Sequence, residues 1–146
     1  MRALLDVNVL VALLDGGHLH HGLAMDWLAA HGGDGWASCP ITQNGCLRIL
    51  SLPGYGNAQP PARVAERLAA ATADPGHAFW PDAVSLLEPG RLRWDHVLGS
   101  RQITDAYLLA LAVQHQGTFV TLDRSIMPAT VPGAQKEHLT VLGVAP

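Results

Sequence analysis

Ala3-Leu4-Leu5-Asp6-Val7-Asn8-Val9-Leu10-Val11-Ala12-Leu13-Leu14 decides the fold. Ala3-Leu4-Leu5 is apolar without alternation, the pattern of a short strand buried on both faces as parallel strands are. Asp6 interrupts the run. Val7 to Leu14 then reads as a short helix that stops at Asp15-Gly16-Gly17.

The same alternation continues outward. His20 to His31 predicts a helix with Leu23, Trp27 and Ala30 on one face, ended by Gly32-Gly33. Gly35 to Ser38 predicts a second strand, and Pro40 to Leu50 a helix in which Ile41, Leu47 and Leu50 share a face. A further helix is expected over Ala62 to Thr72, opened by Pro60-Pro61. Ala78 to Trp80 predicts the third strand, and Ala83 to Leu87 a short helix. Between Pro89 and Gly99, Leu92, Val97 and Leu98 predict a partly buried helical turn. Thr104 is placed as the cap of a helix over Asp105 to Gln116, with Ala106, Leu109, Ala110 and Val113 at helical spacing. Strands are expected at Thr118 to Leu122 and at His138 to Leu142, the latter an edge. There is no repeat, linker or low-complexity tract, so residues 1–146 are read as one α/β domain with a mostly parallel sheet.

Composition narrows the class. Apolar residues make up 49% of the chain and charged residues 14%, which places it among globular proteins. Apolar runs fall short of the ~20 residues a membrane span needs. The N-terminus has no secretory pattern, and Cys39 and Cys46 form neither a disulfide framework nor a metal knuckle. A reduced, cytoplasmic protein is expected. The net charge of -3 argues against an indiscriminate nucleic-acid coat. Eight of the nine Lys and Arg residues are nevertheless arginines, whose planar fork suits phosphate. A codon bias would produce the same excess, so charge leaves the question of RNA open.

Chemistry is expected at three aspartates. Asp6 and Asp123 each follow a strand, and Asp105 opens a helix. Carboxyl ends of parallel strands face the ligand crevice of an open sheet. Asp6 and Asp123 can therefore share one mouth, with Asp105 supplied by the preceding helix. Converging carboxylates repel one another unless something neutralises them, and a hard divalent cation such as Mg²⁺ or Mn²⁺ does so. Taken singly, Asp105 could merely complement its helix dipole, and Asp123, followed by Arg124-Ser125, could be a turn residue. Asp6 interrupts a buried run and is harder to explain that way.

These residues carry a family resemblance. Leu4 to Leu10 is similar to the opening motif of PIN domains, Ile103 to Ala112 to their third acidic motif, and Phe119 to Arg124 to their fourth. His20, Ala24 and Trp27 resemble the second helix of VapC toxins. The resemblance runs from Arg2 to about Val144. It implies a three-layer α/β sandwich, with a five-stranded parallel sheet of order 3-2-1-4-5, helices on both faces, and a homodimer. It implies an endoribonuclease dependent on Mg²⁺ or Mn²⁺, with Asp6, Asp105 and Asp123 as metal ligands and catalytic acids. Structured RNA, tRNA or ribosomal RNA, is the implied target, and a VapB-type antitoxin, which places a basic side chain in the acidic mouth, the implied inhibitor. Asn8 matches the position whose amide steadies the first aspartate, and Thr121 the hydroxyl beside the fourth acid. Arg48, Arg101 and Arg124 are candidates for RNA phosphate.

One departure stands out. Many PIN domains carry a glutamate three residues after a threonine at the start of the third helix, whereas Thr42-Gln43-Asn44-Gly45 puts glycine there. This pattern resembles a branch of mycobacterial-type VapC proteins. Asn44 could supply a neutral oxygen or simply kink the helix, and Asp95 is another possible acid. A glutamate placed at Gly45 should lower the metal requirement, provided it fits. His18, His20 and His21 lack a zinc ligand pattern and are read as solvated or capping residues. The four tryptophans, Trp27, Trp36, Trp80 and Trp94, are assigned to core and dimer face. Two other functions stay open: a catalytically weak PIN domain that binds RNA or antitoxin, kept alive by the missing glutamate, and a DNA-directed or flap-type nuclease, which the lack of a helical arch disfavours.

Overall fold

Strands β1 (Ala3–Leu5), β2 (Trp36–Ser38), β3 (His77–Phe79), β4 (Thr118–Thr121) and β5 (Leu139–Val141) form one sheet in a computed structural model that describes residues 1–144. The order is β3-β2-β1-β4-β5 and every neighbouring pair is parallel, as expected. Helices α1 (Val7–Leu14), α2 (His21–His31), α3 (Pro40–Leu50), α4 (Pro61–Thr72) and α5 (Ile103–Gln114) connect them. No described helix is long and apolar enough to cross a membrane.

Alternation along the strands sorts the core into two halves. Leu4 pairs in register with Phe119, and both join a cluster with the Ala106–Ala112 run of α5. Leu5 pairs with Val120, and both point to the other face, where α1, α2, α3 and α4 contribute Val9, Ala24, Cys46 and Val64. Helices thus cover both faces.

Several elements differ from expectation, each for a packing reason. Helix α5 is not one-sided: all seven residues from Ala106 to Ala112 are buried, because Trp80, Val84, Leu92 and Val131 cover its outer side. It also starts at Ile103, fed by a 3-10 turn over Ser100–Gln102. Thr104 therefore lies exposed in the first turn and is not a cap. Gln102 precedes the helix, and its Oε1 accepts from the N–H groups of Leu98 (2.6 Å) and Gly99 (3.1 Å). No helix forms over Ala83 to Leu87; Pro81 and Pro89-Gly90 leave too little room, and Val84 is buried from an irregular segment.

The helical turn expected between Pro89 and Gly99 is a 3-10 turn at Trp94–His96, with Leu92 buried but Leu98 84% exposed. In α2 the inward face is set by Ala24, flanked by half-buried Trp27 and Leu28, while Leu23 and Ala30 point outward. In α3 the buried residues are Thr42, Cys46 and Leu50, four apart, and Ile41 and Leu47 are only partly covered. Trp36 and Trp80 belong to the core, whereas Trp94 is half exposed.

Candidate active site

The chain runs from β1 outward through β2 to β3, then returns to place β4 on the other side of β1. The sheet therefore changes direction between β1 and β4, and a crevice opens beyond the carboxyl ends of strands at such a point. Asp6 leaves β1 there, its own N–H donating to the Val120 carbonyl (2.9 Å). Asp123 stands two residues beyond the end of β4, and Asp105 lies in the first turn of α5.

Asp6 is the anchored member, with 7% of its surface exposed. Its Oδ1 accepts from the Val7 N–H (2.7 Å), which caps α1. Its Oδ2 accepts from the Thr121 hydroxyl (2.7 Å). The same Thr121 Oγ1 accepts from the Asp123 N–H (3.0 Å) and from Asn8 Nδ2 (3.3 Å), and Asn8 Oδ1 accepts from the Leu122 N–H (3.2 Å). Asn8 thus reaches Asp6 through Thr121 and not by direct contact. Asp123 Oδ1 accepts from both the N–H (2.8 Å) and the hydroxyl (2.7 Å) of Ser125. The turn reading of Asp123 holds, and it is compatible with the site reading, since the turn fixes one carboxylate oxygen and leaves the other without a bond from a described residue. Asp105 takes no hydrogen bond from any described residue.

Burial and neighbouring charge both act on Asp105 and Asp6. Burial pushes the Asp105 carboxyl up to about 6, with the charges of Asp6 and Asp123 adding to it. Asp6 is also raised, chiefly by burial, against the lowering effect of its bonds to Thr121 and Val7, with the Asp123 charge contributing. None of the ion pairs among the described residues involves these three acids. Among those residues, no three His, Cys, Asp or Glu side chains converge tightly enough to hold an ion as they stand. The donor set, hard carboxylate oxygens crowded without a cation, nonetheless fits Mg²⁺ or Mn²⁺.

Comparison with known proteins places the chain in a family. The family profile described as the PIN domain matches residues 3–129. The chain belongs to the PIN-domain family. It is 49% identical to Ribonuclease VapC44 of Mycobacterium tuberculosis over 142 residues, which cover 97% of this chain and 100% of that one. It is 40% identical to Ribonuclease VapC39 of the same organism over 134 residues, 91% and 96% of the two chains. Among solved structures, VapBC2 from Rickettsia felis, bound to a DNA fragment from its promoter, superposes with a TM-score of 0.61 at 14% identity, covering 97% of this chain and 99% of that one. Mycobacterium tuberculosis VapC20, described as a Sarcin-Ricin loop cleaving toxin, gives 0.56 at 18% identity, covering 80% and 85%. The relatives place this PIN domain among VapC-type proteins, and the superpositions bear out its fold.

The remaining candidates fall on two sides of the acids. Arg101 shares a pocket of about 210 Å³ with Asp105 and Asp123. Asn44 and Arg48, both exposed on α3, line a separate, more open groove with Val7, Asp82 and Thr104. Arg124 is exposed beyond Asp123. Asp95 sits on the exposed Trp94–His96 turn, its carboxylate 3.8 Å from His96 Nε2, and lines neither space. His18, His20 and His21 bond locally: His18 Nδ1 accepts from the His20 N–H (3.0 Å), and His21 Nδ1 lies 2.7 Å from the Ala12 carbonyl. Sequence reasoning missed Asp82, which carried no motif, and the part of Thr130, Ile126 and Met127 in walling the Arg101 pocket.

The glycine of this PIN domain has a steric cause. A Cβ on Gly45 would lie 2.6 Å from Val7 Cγ2 and 3.2 Å from Cγ1. Helix α3 therefore approaches α1 too closely for a side chain at this point, so the condition placed on a glutamate at position 45, that it fit, is not met. Val7 is β-branched and stiff, and its N–H holds Asp6, so a side chain at position 45 would push on the anchored acid itself.

Proposed function

We propose that this PIN domain is the toxin of a toxin–antitoxin pair, an endoribonuclease that uses Mg²⁺ or Mn²⁺ to cut structured RNA, tRNA or ribosomal RNA, and so inhibits translation. One observation carries the reading: Asp6, Asp105 and Asp123 gather at the sheet's change of direction, burial and neighbouring charge raise the proton affinity of Asp105 and Asp6, and none of the three acids has a cation partner among the described residues. The relatives named Ribonuclease VapC support the activity.

Asp6, Asp105 and Asp123 would hold the divalent ion, which when bound would supply a Lewis acid for activating water and neutralising charge on the phosphodiester. The chain's own groups set the stage. Thr121 and Val7 keep both oxygens of Asp6 in place, and Ser125 fixes one oxygen of Asp123 while leaving the other free. Asp105 gives up its proton near neutrality. Arg48 and Arg124 offer exposed guanidinium groups to the RNA backbone. The partner is a VapB-type antitoxin that inserts a cationic side chain into the mouth, and the active protein is a homodimer.

Gly45, the missing acid, favours a second reading, a PIN domain that binds RNA or antitoxin without cutting. Incubating antitoxin-free protein with total RNA, with and without Mn²⁺, separates the two. Discrete fragments that appear only with the ion, and vanish in Asp6→Asn, support the nuclease. RNA that is bound but intact at every ion concentration supports the binding module.

A further inference from the structure

Arg101 stands one helical turn before Asp105, because the 3-10 turn Ser100–Gln102 runs directly into α5. Residues four apart on such a stretch lie on one face, their Cβ atoms roughly 5–6 Å from each other. Both line the 210 Å³ pocket, with Asp123 beside them and Ile126, Met127 and Thr130 opposite. Clefts for drug-sized ligands start near ~300 Å³, so this one takes a single base or sugar and not a dinucleotide.

Its walls differ in kind. Ile126 packs against the core cluster and forms a fixed apolar floor, while Met127 is 49% exposed and stands as a movable lip. A thioether on a flexible stem suits the face of an aromatic ring. The Thr130 hydroxyl is turned away to the Met127 carbonyl (2.8 Å). Arg101 shares the space with two carboxylates yet forms no ion pair or hydrogen bond with any described residue. Its planar fork stays free for an incoming group.

We propose that this pocket seats the nucleobase next to the cleaved phosphate and that Arg101 selects guanine there. This inference rests on the ribonuclease reading above, and it moves Arg101 from a phosphate contact to a base contact. The acids hold the reacting phosphate at one end of the pocket. One turn away along the same pocket wall, the guanidinium meets the edge of the attached base. A guanidinium fork pairs with the O6 and N7 acceptors of guanine, and unpaired RNA leaves that edge open. Adenine presents a donor where O6 would be, and pyrimidines lack N7.

Mapping fragment ends after digestion of a randomised RNA pool with the full chain and Mn²⁺ reads the subsite directly. Wild-type cuts should share guanine at one flanking position, and Arg101→Ala should flatten that preference by about tenfold or more, the discrimination one bidentate pair supplies. Arg101→Lys, which keeps charge and loses the fork, should flatten it nearly as far. Calorimetric Mn²⁺ affinity should be no weaker than wild type in both variants. An unchanged base preference, or lost Mn²⁺ binding, overturns the proposal. A wild-type protein that cuts nothing overturns the nuclease reading instead. The subsite is then read from fluorescence anisotropy of a five-nucleotide RNA carrying one guanine and of its adenine counterpart, both in Ca²⁺. A guanine advantage that Arg101→Ala removes upholds the proposal, and equal affinities in the wild type overturn it.

Discussion

Thr121 Oγ1 is the most connected atom of the site, donating to Asp6 and accepting from Asn8 and the Asp123 backbone. Thr121→Val keeps the shape and removes all three bonds. It should cost about 1–3 kcal/mol of stability through the buried groups left unpaired, and about 10- to 100-fold in Mn²⁺ affinity, the usual effect of losing a partner that orients a ligand. Thr121→Ser should restore most of the affinity. Thermal melts and calorimetry check both, and a valine variant with wild-type affinity would show that Asp6 needs no orientation. Asp6→Asn, Asp105→Asn and Asp123→Asn should each remove cleavage while the protein stays folded, measured by fragment gels and circular dichroism. The acids were legible because each breaks a pattern: a buried run, a helix start, a strand end. The path from Asn8 to Asp6 was not, since its bond to Thr121 spans 113 residues of sequence and depends on how β1 and β4 sit in register.

At the scale of elements, α1 and α3 meet at the pair Val7 and Gly45. Gly45→Ala gains helix propensity of up to about 1 kcal/mol but forces a methyl into Val7, and overpacking of this kind typically costs about 1–3 kcal/mol. The net expectation is a lower melting temperature together with weaker Mn²⁺ binding, because Val7 is tied to Asp6. Val7→Ala in the same chain should relieve both defects. If Gly45→Ala is more stable than wild type, the close approach is not the reason for the glycine. Strands and the order of elements were readable from apolar runs and Gly/Pro punctuation. Helix faces were not. An all-apolar helix such as α5 has no periodicity to read, and whether it is covered on one side or all round depends on the irregular segments over Trp80 to Leu92 and around Val131. Likewise the segment over Ala83 to Leu87 buries Val84 without a helix, because what fixes it is the neighbour it covers and not its own propensity.

For the molecule as a whole, the site stores a pH dependence whose sign depends on the ion. The Asp105 carboxyl sits at about 6 in the folded chain, above its ordinary value of 3.8. The folded state therefore holds this proton more tightly than the unfolded state does. Stability contributed by the protonated form is present at low pH and is lost as pH rises from about 4 to 6, staying lost above that. Asp6, raised for the same reason, acts in the same direction, whereas Asp15, held low chiefly by the Tyr55 hydroxyl, loses its contribution as pH falls. A comparison of wild type with Asp105→Asn cancels Asp15 and isolates the acid cluster. In EDTA the variant should be the more stable protein above pH 6, by about 1–2 kcal/mol once solvent screening of a half-buried group is allowed for. That corresponds to several degrees of melting temperature, at roughly 2–4 °C per kcal/mol for a chain near this size. Below pH 4 the two should converge. Mn²⁺ reverses the order, because the ion binds the deprotonated acids and releases the proton. Its stabilisation of the folded wild type should grow as pH rises through 6 and be largely missing in the variant. Melting curves of both proteins between pH 4 and 8, in EDTA and in excess Mn²⁺, give four lines whose crossing decides the matter. If wild type and variant run parallel in EDTA, neither burial nor the neighbouring carboxylates raise Asp105 in the free protein. The crowding that points to a divalent ion would then have to be sought elsewhere in the crevice.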